Sequence, residues 1–343
     1  MKSKVYLKSG FWKSINSNTS LEGIRSKLNI SDALSSSLVI TDVQEEMIKE
    51  DFFLKMLIKK GNYIRCDEKY IEKKLNSINS GEETIEHSED LCATYILDKT
   101  SSECAKIEHN LGVVTLCPGS LQKKEYLFKG EGFTLDKKHK YELRYMTFKS
   151  KLQHPCNSLI ILDPYLLSSK KKDKANAITF PGISNNLEPL LNAILPQTLE
   201  IDFHLTIISN LSNLEDGQKD VKRAYEKVKK CLKRIRKDLT IKFGFFYTDK
   251  GYNYKVESFH SRHVISNSFM IDSEDGFDLF GDIGYITKNN PTITIVFPRL
   301  FGNSRQDMTK YENWVRSVKI FIEEASEESF CGTKYNRLLD LNS

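Results

Sequence analysis

The segment from Phe259 to Gly281, FHSRHVISNSFMIDSEDGFDLFG, gathers the side chains best suited to chemistry. It opens with His260-x-Arg262, reaches Asn267, and ends in a turn containing Glu274, Asp275 and Gly276. In an extended strand alternate side chains share a face, so His260 and Arg262 point the same way. A histidine that attacks phosphorus or passes a proton, beside a guanidinium that neutralises phosphate oxygens, is a workable set for phosphoryl transfer. In that set His260 is the nucleophile or proton donor and Arg262 the phosphate clamp. Asn267 and the acidic turn are placed to orient the imidazole. Metal binding by His260 and His263 is not expected, because the two fall on opposite faces and no cysteine nearby completes a zinc set.

A second candidate is the helix KDVKRAYEKVKKCLKRIRKD. From Lys219 to Asp238 it holds ten Lys/Arg against three Asp/Glu, while Val221, Ala224, Tyr225, Val228, Leu232 and Ile235 form an apolar stripe. Its outward cations Lys222, Arg223, Lys229, Lys230 and Arg234 are candidate phosphate-binding residues, able to follow a nucleic-acid backbone. An ordinary solvated face remains the plainer alternative. Lys170, Lys171, Lys172 and Lys174 extend the positive charge. A third group is Asp42, Glu45, Glu46 and Asp51, where a strand enters a helix. Carboxylates at a strand's carboxyl edge can hold Mg²⁺, but acids at a helix N-terminus also serve the dipole, and that is the simpler role. Gly10, Gly112 and Gly119 form neither a GxGxxG run nor a P-loop, so no nucleotide cofactor is expected.

The elements around these residues sharpen the reading. ILDPYLL, at the end of the apolar run that begins at Asn157, leads through helix, strand (FHLTIIS), long basic helix and strand (IKFGFFY) to the histidine hairpin. This order and the His260 segment resemble a half-domain of the phospholipase D superfamily, whose motif is histidine, one arbitrary residue, lysine, four residues, aspartate. The likeness covers about residues 155–300. Arg262 stands where the family has lysine and Asn267 where it has aspartate. Arginine binds phosphate bidentately but cannot give up a proton, which favours binding over turnover. No second H-x-[KR] exists, since His87, His109, His139, His154 and His204 have other followers. The resemblance therefore implies catalysis only in a symmetric dimer that brings two histidines together.

The first 120 residues alternate short apolar strands with helical patterns, which implies an α/β layer with a mainly parallel sheet. They carry a fainter likeness to the PIN-type nuclease fold, except that Lys8-Ser9-Gly10 occupies the place of that family's first aspartate. The expected fold is thus α/β in two domains, 1–120 and 151–343, joined by a Gly- and Lys-rich linker at 121–150. A final helix over about 305–325 puts Met308, Tyr311, Trp314, Val318 and Phe321 on one face as core.

With 343 residues, 39% hydrophobic, the chain can bury ordinary cores, and its net charge of +5 permits a phosphate-bearing partner without demanding one. No apolar run is long enough to span a bilayer. Seven cysteines without a CxxC pair suit reduced thiols rather than a disulfide framework. These features, with a Lys-, Asn-, Ile- and Ser-rich composition, lead us to expect a cytoplasmic bacterial protein without cofactor, metal or membrane contact. The expected function is recognition of a phosphodiester ligand, most plausibly nucleic acid, with cleavage as its stronger form. The resemblance associates such proteins with antiphage or mobile-element defence. The rival expectation is a non-catalytic scaffold subunit bound to a protein partner. A third, lipid head-group binding, would show as salt-weakened association with anionic vesicles.

Overall fold

The computed structural model describes residues 4–11, 38–50, 55, 63–65, 69–78, 85–120, 123–124, 131–135, 152–167, 171–172, 178–211, 218–248, 262–281, 286–288, 291–297 and 305–340. The protein is α/β, built on two large sheets.

The first sheet has five strands: β1 (Val5–Lys8), β2 (Leu38–Thr41), β3 (Tyr63–Arg65), β4 (Thr94–Ile96) and β5 (Val114–Leu116). They are all parallel, in the order β3-β2-β1-β4-β5. The strand order reverses between β1 and β4, so the carboxyl ends of these two strands flank a switch point, where open α/β sheets place their clefts. Side chains alternate between two cores as the period of two requires. Tyr6 and Tyr95 stack at 5.2 Å on one face, over Ile71, Leu75, Cys104 and Leu111. Val5, Leu7, Ile96 and Val114 face the other way. Helices α1 (Glu45–Glu50), α2 (Tyr70–Ile78), α3 (Ile85–Leu91) and α4 (Ser101–Leu111) belong to this half. Thr100 and Glu103 form a reciprocal capping box on α4, and Gly112 closes the helix in the left-handed conformation.

The second sheet has eight strands. Its parallel centre is β7 (Ser158–Leu162), β10 (Phe203–Ser209) and β11 (Ile241–Tyr247). The hairpin β12 (His263–Ser266) and β13 (Met270–Ser273) runs antiparallel to β7, followed by β14 (Thr292–Val296) and β6 (Glu131–Thr134). The 121–150 stretch is therefore more than a connection, because it supplies the edge strand β6 to this sheet. A two-stranded ribbon, β8 (Lys171–Lys172) and β9 (Ile178–Thr179), stands apart. On one face lie a π-helical turn (Ile183–Leu187), α5 (Glu188–Ile194) and the basic helix α6 (Gln218–Ile235). Val221, Ala224, Val228 and Leu232 of α6 are buried along the expected stripe. On the other face lies α7 (Arg305–Glu324), whose Tyr311, Trp314, Val315 and Val318 cover Ile160, Leu162, Ile265 and Met270. The side chain of Met308 lies outside the described residues.

The two sheets share a core. Val5, Leu7 and Val114 of the first belong to one apolar cluster with Leu159, Ile161, Leu205 and Ile207 of the second. Two asparagines reinforce the junction. Asn157 donates to the carbonyls of Leu91 and Leu111, both at 2.8 Å, and its backbone N–H donates to the Asn267 carboxamide at 2.9 Å. Asn267 in turn donates to the Gly112 carbonyl at 3.0 Å. A Cβ on Gly112 would fall 2.3 Å from the Cys156 carbonyl oxygen, so this position needs glycine for space as well as for its φ of +60°.

The segment 330–340 closes the molecule. Strand β15 (Phe330–Gly332) pairs antiparallel with β11, and α8 (Arg337–Asp340) follows. Arg337 is 1% exposed and donates to the carbonyls of Asn157 (3.0 Å) and Asp202 (3.1 Å) and to the Ser158 hydroxyl. Its backbone N–H donates to His204 Nδ1 at 3.0 Å, and Asn336 donates to the Leu159 carbonyl and to Thr206.

Candidate functional site

The pairing of β12 with β7 puts His263 opposite Leu162, so Arg262 lies at the carboxyl edge of β7, where the chain turns through Asp163-Pro164-Tyr165. The Arg262 guanidinium sits over the Tyr165 ring, 4.8 Å from its centre. One of its terminal nitrogens donates to the Glu274 carbonyl. Gly276, with φ of +84°, provides the space: a Cβ there would lie 2.9 Å from Arg262 Cδ. Among the described residues Arg262 Nε and Asp278 Oδ1 are both buried without a hydrogen-bond partner. A buried guanidinium donor left unfilled is a costly arrangement that an acceptor brought by a ligand would relieve.

Asp163 holds this corner together. It is fully buried, accepting from the Tyr165 N–H at 2.8 Å and the Phe277 N–H at 2.7 Å. It thereby ties the end of β7 to the turn that seats Arg262. Burial pushes its carboxyl up to about 6, against the opposing pull of the two backbone N–H groups. Burial also raises Asp278, with Lys288 at 3.6 Å opposing.

Of the three residues expected to act together, Arg262 alone occupies this corner among the described residues. His260 lies outside them. Asn267 is buried. It sits in the β12–β13 turn, five residues from Arg262, about 16 Å along an extended chain. Its carboxamide bonds the backbones of Asn157 and Gly112, which joins the two sheets.

The hairpin holds another histidine in a built environment. His263 Nδ1 bonds Asp272 across the strand pair, Lys310 bonds the other Asp272 oxygen, and the Trp314 ring lies 4.2 Å from the imidazole. His263 Nε2 is buried, with no hydrogen-bond partner among the described residues. Burial works to raise Asp272, but the hydrogen bonds and charges of His263 and Lys310 hold it below the usual carboxylate range. The signal was present in the sequence: a hairpin centred on Asn267-Ser268 puts residues 263 and 272 opposite each other. His204 accepts from the Arg337 backbone N–H, and His154 packs on Phe269 and Phe297. His139 lies outside the described residues.

The cations of α6 are exposed, as expected. Arg223 pairs with Asp220 at 3.0 Å, Lys229 lies over the Tyr225 ring, and Arg234 pairs with Glu188. Lys230 and Arg234 line a groove between α6 and the π-helical turn, whereas Lys222 and Arg223 do not border it. Of the lysines expected to extend this charge, Lys171 and Lys172 form β8, and Lys170 and Lys174 lie outside the described residues.

At the switch point of the first sheet the neighbours of Asp42 differ from those expected. Glu46 is exposed, and Asp51 lies outside the described residues. Instead Lys8, ending β1, reaches Glu72 (2.9 Å), Asp98 (3.2 Å) and Asp42 (3.8 Å). Its ammonium stands among three carboxylates, where a divalent ion would otherwise balance their charge. Burial alone would lower the Lys8 value, but hydrogen bonds to Glu72 and Asp98 raise it. Among the described residues no three Asp, Glu, His or Cys side chains converge as a metal set.

No family model matches the chain, and no curated protein matches it significantly.

Proposed function

We propose that this protein binds phosphodiester ligands, nucleic acid first among them, with Arg262 as the phosphate clamp and the outer face of α6 holding the strand. The observation that carries this reading is the seat of Arg262. It has an Nε donor that no described group fills and the Tyr165 ring beneath it. Guanidinium geometry suits two phosphate oxygens at once. Cleavage by a phospholipase D-like route would add His260 as nucleophile, supplied twice by a symmetric dimer. A setting in bacterial antiphage or mobile-element defence goes with the same resemblance.

The test is binding and cleavage of single- and double-stranded DNA and RNA at several salt concentrations, with EDTA or Mg²⁺, alongside Arg262→Ala and His260→Ala. Salt-sensitive binding that Arg262→Ala weakens tenfold or more is the expected result, since a charge-assisted pair contributes roughly 1.5–3 kcal/mol. EDTA-resistant cleavage lost in His260→Ala would add the catalytic role. Absence of both binding and cleavage would overturn the reading and leave the scaffold role, to be sought through a protein partner.

A further inference from the structure

Between α6 and the π-helical turn runs a groove of about 440 Å³, within the range of small-molecule sites (roughly 300–1,000 Å³). Its base is apolar: Phe180, Pro181, Ile183 and Cys231. Its basic wall is Lys227, Lys230 and Arg234, and its polar rim Ser184 and Asn185. Among the described residues none that lines it is acidic. We propose that this groove is a nucleoside-phosphate site, with the phosphate held by Lys230 and Arg234 and the nucleoside laid over the apolar base. The ligand's class rests on the phosphodiester reading above, but the site is separate from the Arg262 corner.

The three cations are not equivalent. Lys227 is already engaged, its ammonium donating to the Ile178 carbonyl and lying over the Phe180 ring at 5.8 Å. It shapes the groove. Lys230 is exposed on the groove wall. Arg234 is two-thirds exposed and holds the Glu188 carboxylate. Glu188 is the first residue of α5 and stands beside the groove, not in its lining. A carboxylate on Arg234 in the free protein is what an incoming phosphate would replace, so Glu188 acts as an internal competitor. Lys230 and Arg234 are one helical turn apart and face the groove together, a spacing at which both can reach one phosphate group. The groove's wall is also fixed. Asn186, in the π-helical turn, accepts from the Phe280 N–H at 2.7 Å and donates to its carbonyl at 3.2 Å. A preformed wall lowers the cost of ordering a ligand.

Calorimetric titration with 5′-AMP, a 5′-phosphorylated trinucleotide and inorganic phosphate tests the proposal. The expected result is saturable AMP binding, weakened at least tenfold by Arg234→Ala and by the groove-filling Ser184→Trp. Glu188→Gln should tighten it severalfold, a gain that misfolding cannot produce. The trinucleotide binding more tightly than AMP, with the same response to the variants, would identify a strand end as the natural source. Inorganic phosphate binding as tightly as AMP would overturn the nucleoside part. No AMP binding even in Glu188→Gln, or binding indifferent to Ser184→Trp, would overturn the site. Arg262→Ala should leave AMP binding intact, so the groove and the Arg262 clamp fail or stand separately.

Discussion

At the scale of single residues, two buried side chains carry testable consequences, Asp163 at the Arg262 corner and Asn267 at the junction of the sheets. Asp163 is raised to about 6 by burial, above the ordinary carboxylate value near 3.9 in an unfolded chain. The folded protein therefore holds this proton more tightly than the unfolded one. Its stabilising effect is full below pH 4 and is lost as pH rises through 6, by about 3 kcal/mol. Asp163→Asn should flatten the stability profile between pH 4 and 7 in urea titrations, and parallel profiles for the two proteins would refute the assignment. Asn267 gives a second expectation. The change Asn267→Asp would restore the aspartate of the resembled motif, but would aim a carboxylate at the Gly112 carbonyl. We expect it to cost about 2–4 kcal/mol in chemical denaturation, more than Asn267→Ala, because an unpaired buried charge costs more than a missing amide. The sequence singled out Arg262 by its spacing, and the structure adds its seat against Tyr165 and Gly276. The contacts of Asn267 were not legible there, since nothing local reveals that a turn residue reaches a helix cap 155 residues away.

At the scale of elements, strand order explains what local patterns could not. The apolar runs of β7, β10 and β11 are readable one by one, as is the stripe on α7. Which carboxylates meet at the end of β1 depends on crossovers that bring β2, β4 and α2 together. Hence the sequence shows Asp42 beside its chain neighbours, while its spatial neighbours Lys8, Glu72 and Asp98 stay hidden. Lys8→Met would leave three carboxylates facing one another. We expect a loss of about 1–3 kcal/mol, the cluster being partly exposed, measured as a lower melting temperature. Millimolar Mg²⁺ or Ca²⁺ should recover part of it in the variant and do nothing for the parent protein, where the ammonium already balances the charge. Glu72 carries the matching pH sign. Burial works to raise it, but the Lys8 hydrogen bond, a backbone hydrogen bond and the charges of Lys8 and Lys99 together lower it, so its contribution is present at neutral pH and fades in acid.

At the scale of the whole molecule, the shared apolar cluster and the Asn157–Asn267 junction make the two sheets one cooperative body. We expect a single denaturant transition seen equally by fluorescence of Trp314, read in a Trp12→Phe background, and by far-UV circular dichroism. Two separate transitions would count against it. The α/β class was legible from alternating elements; the common core was not, because period-two patterns say that a face is buried without saying against what. The segment 330–340 draws the largest consequence from this plan. Arg337 sits at 1% exposure against Asn157, Ser158, Asp202 and His204, residues made well over a hundred positions earlier. On the ribosome those earlier groups must wait, solvated and unpaired, until residue 337 has left the exit tunnel. We expect a chain translated only to that point to leave these partners uncovered, a condition that favours aggregation. The packing of Arg337 is thus expected to be a late locking step, and the time between translating Asn157 and Arg337 a window of vulnerability.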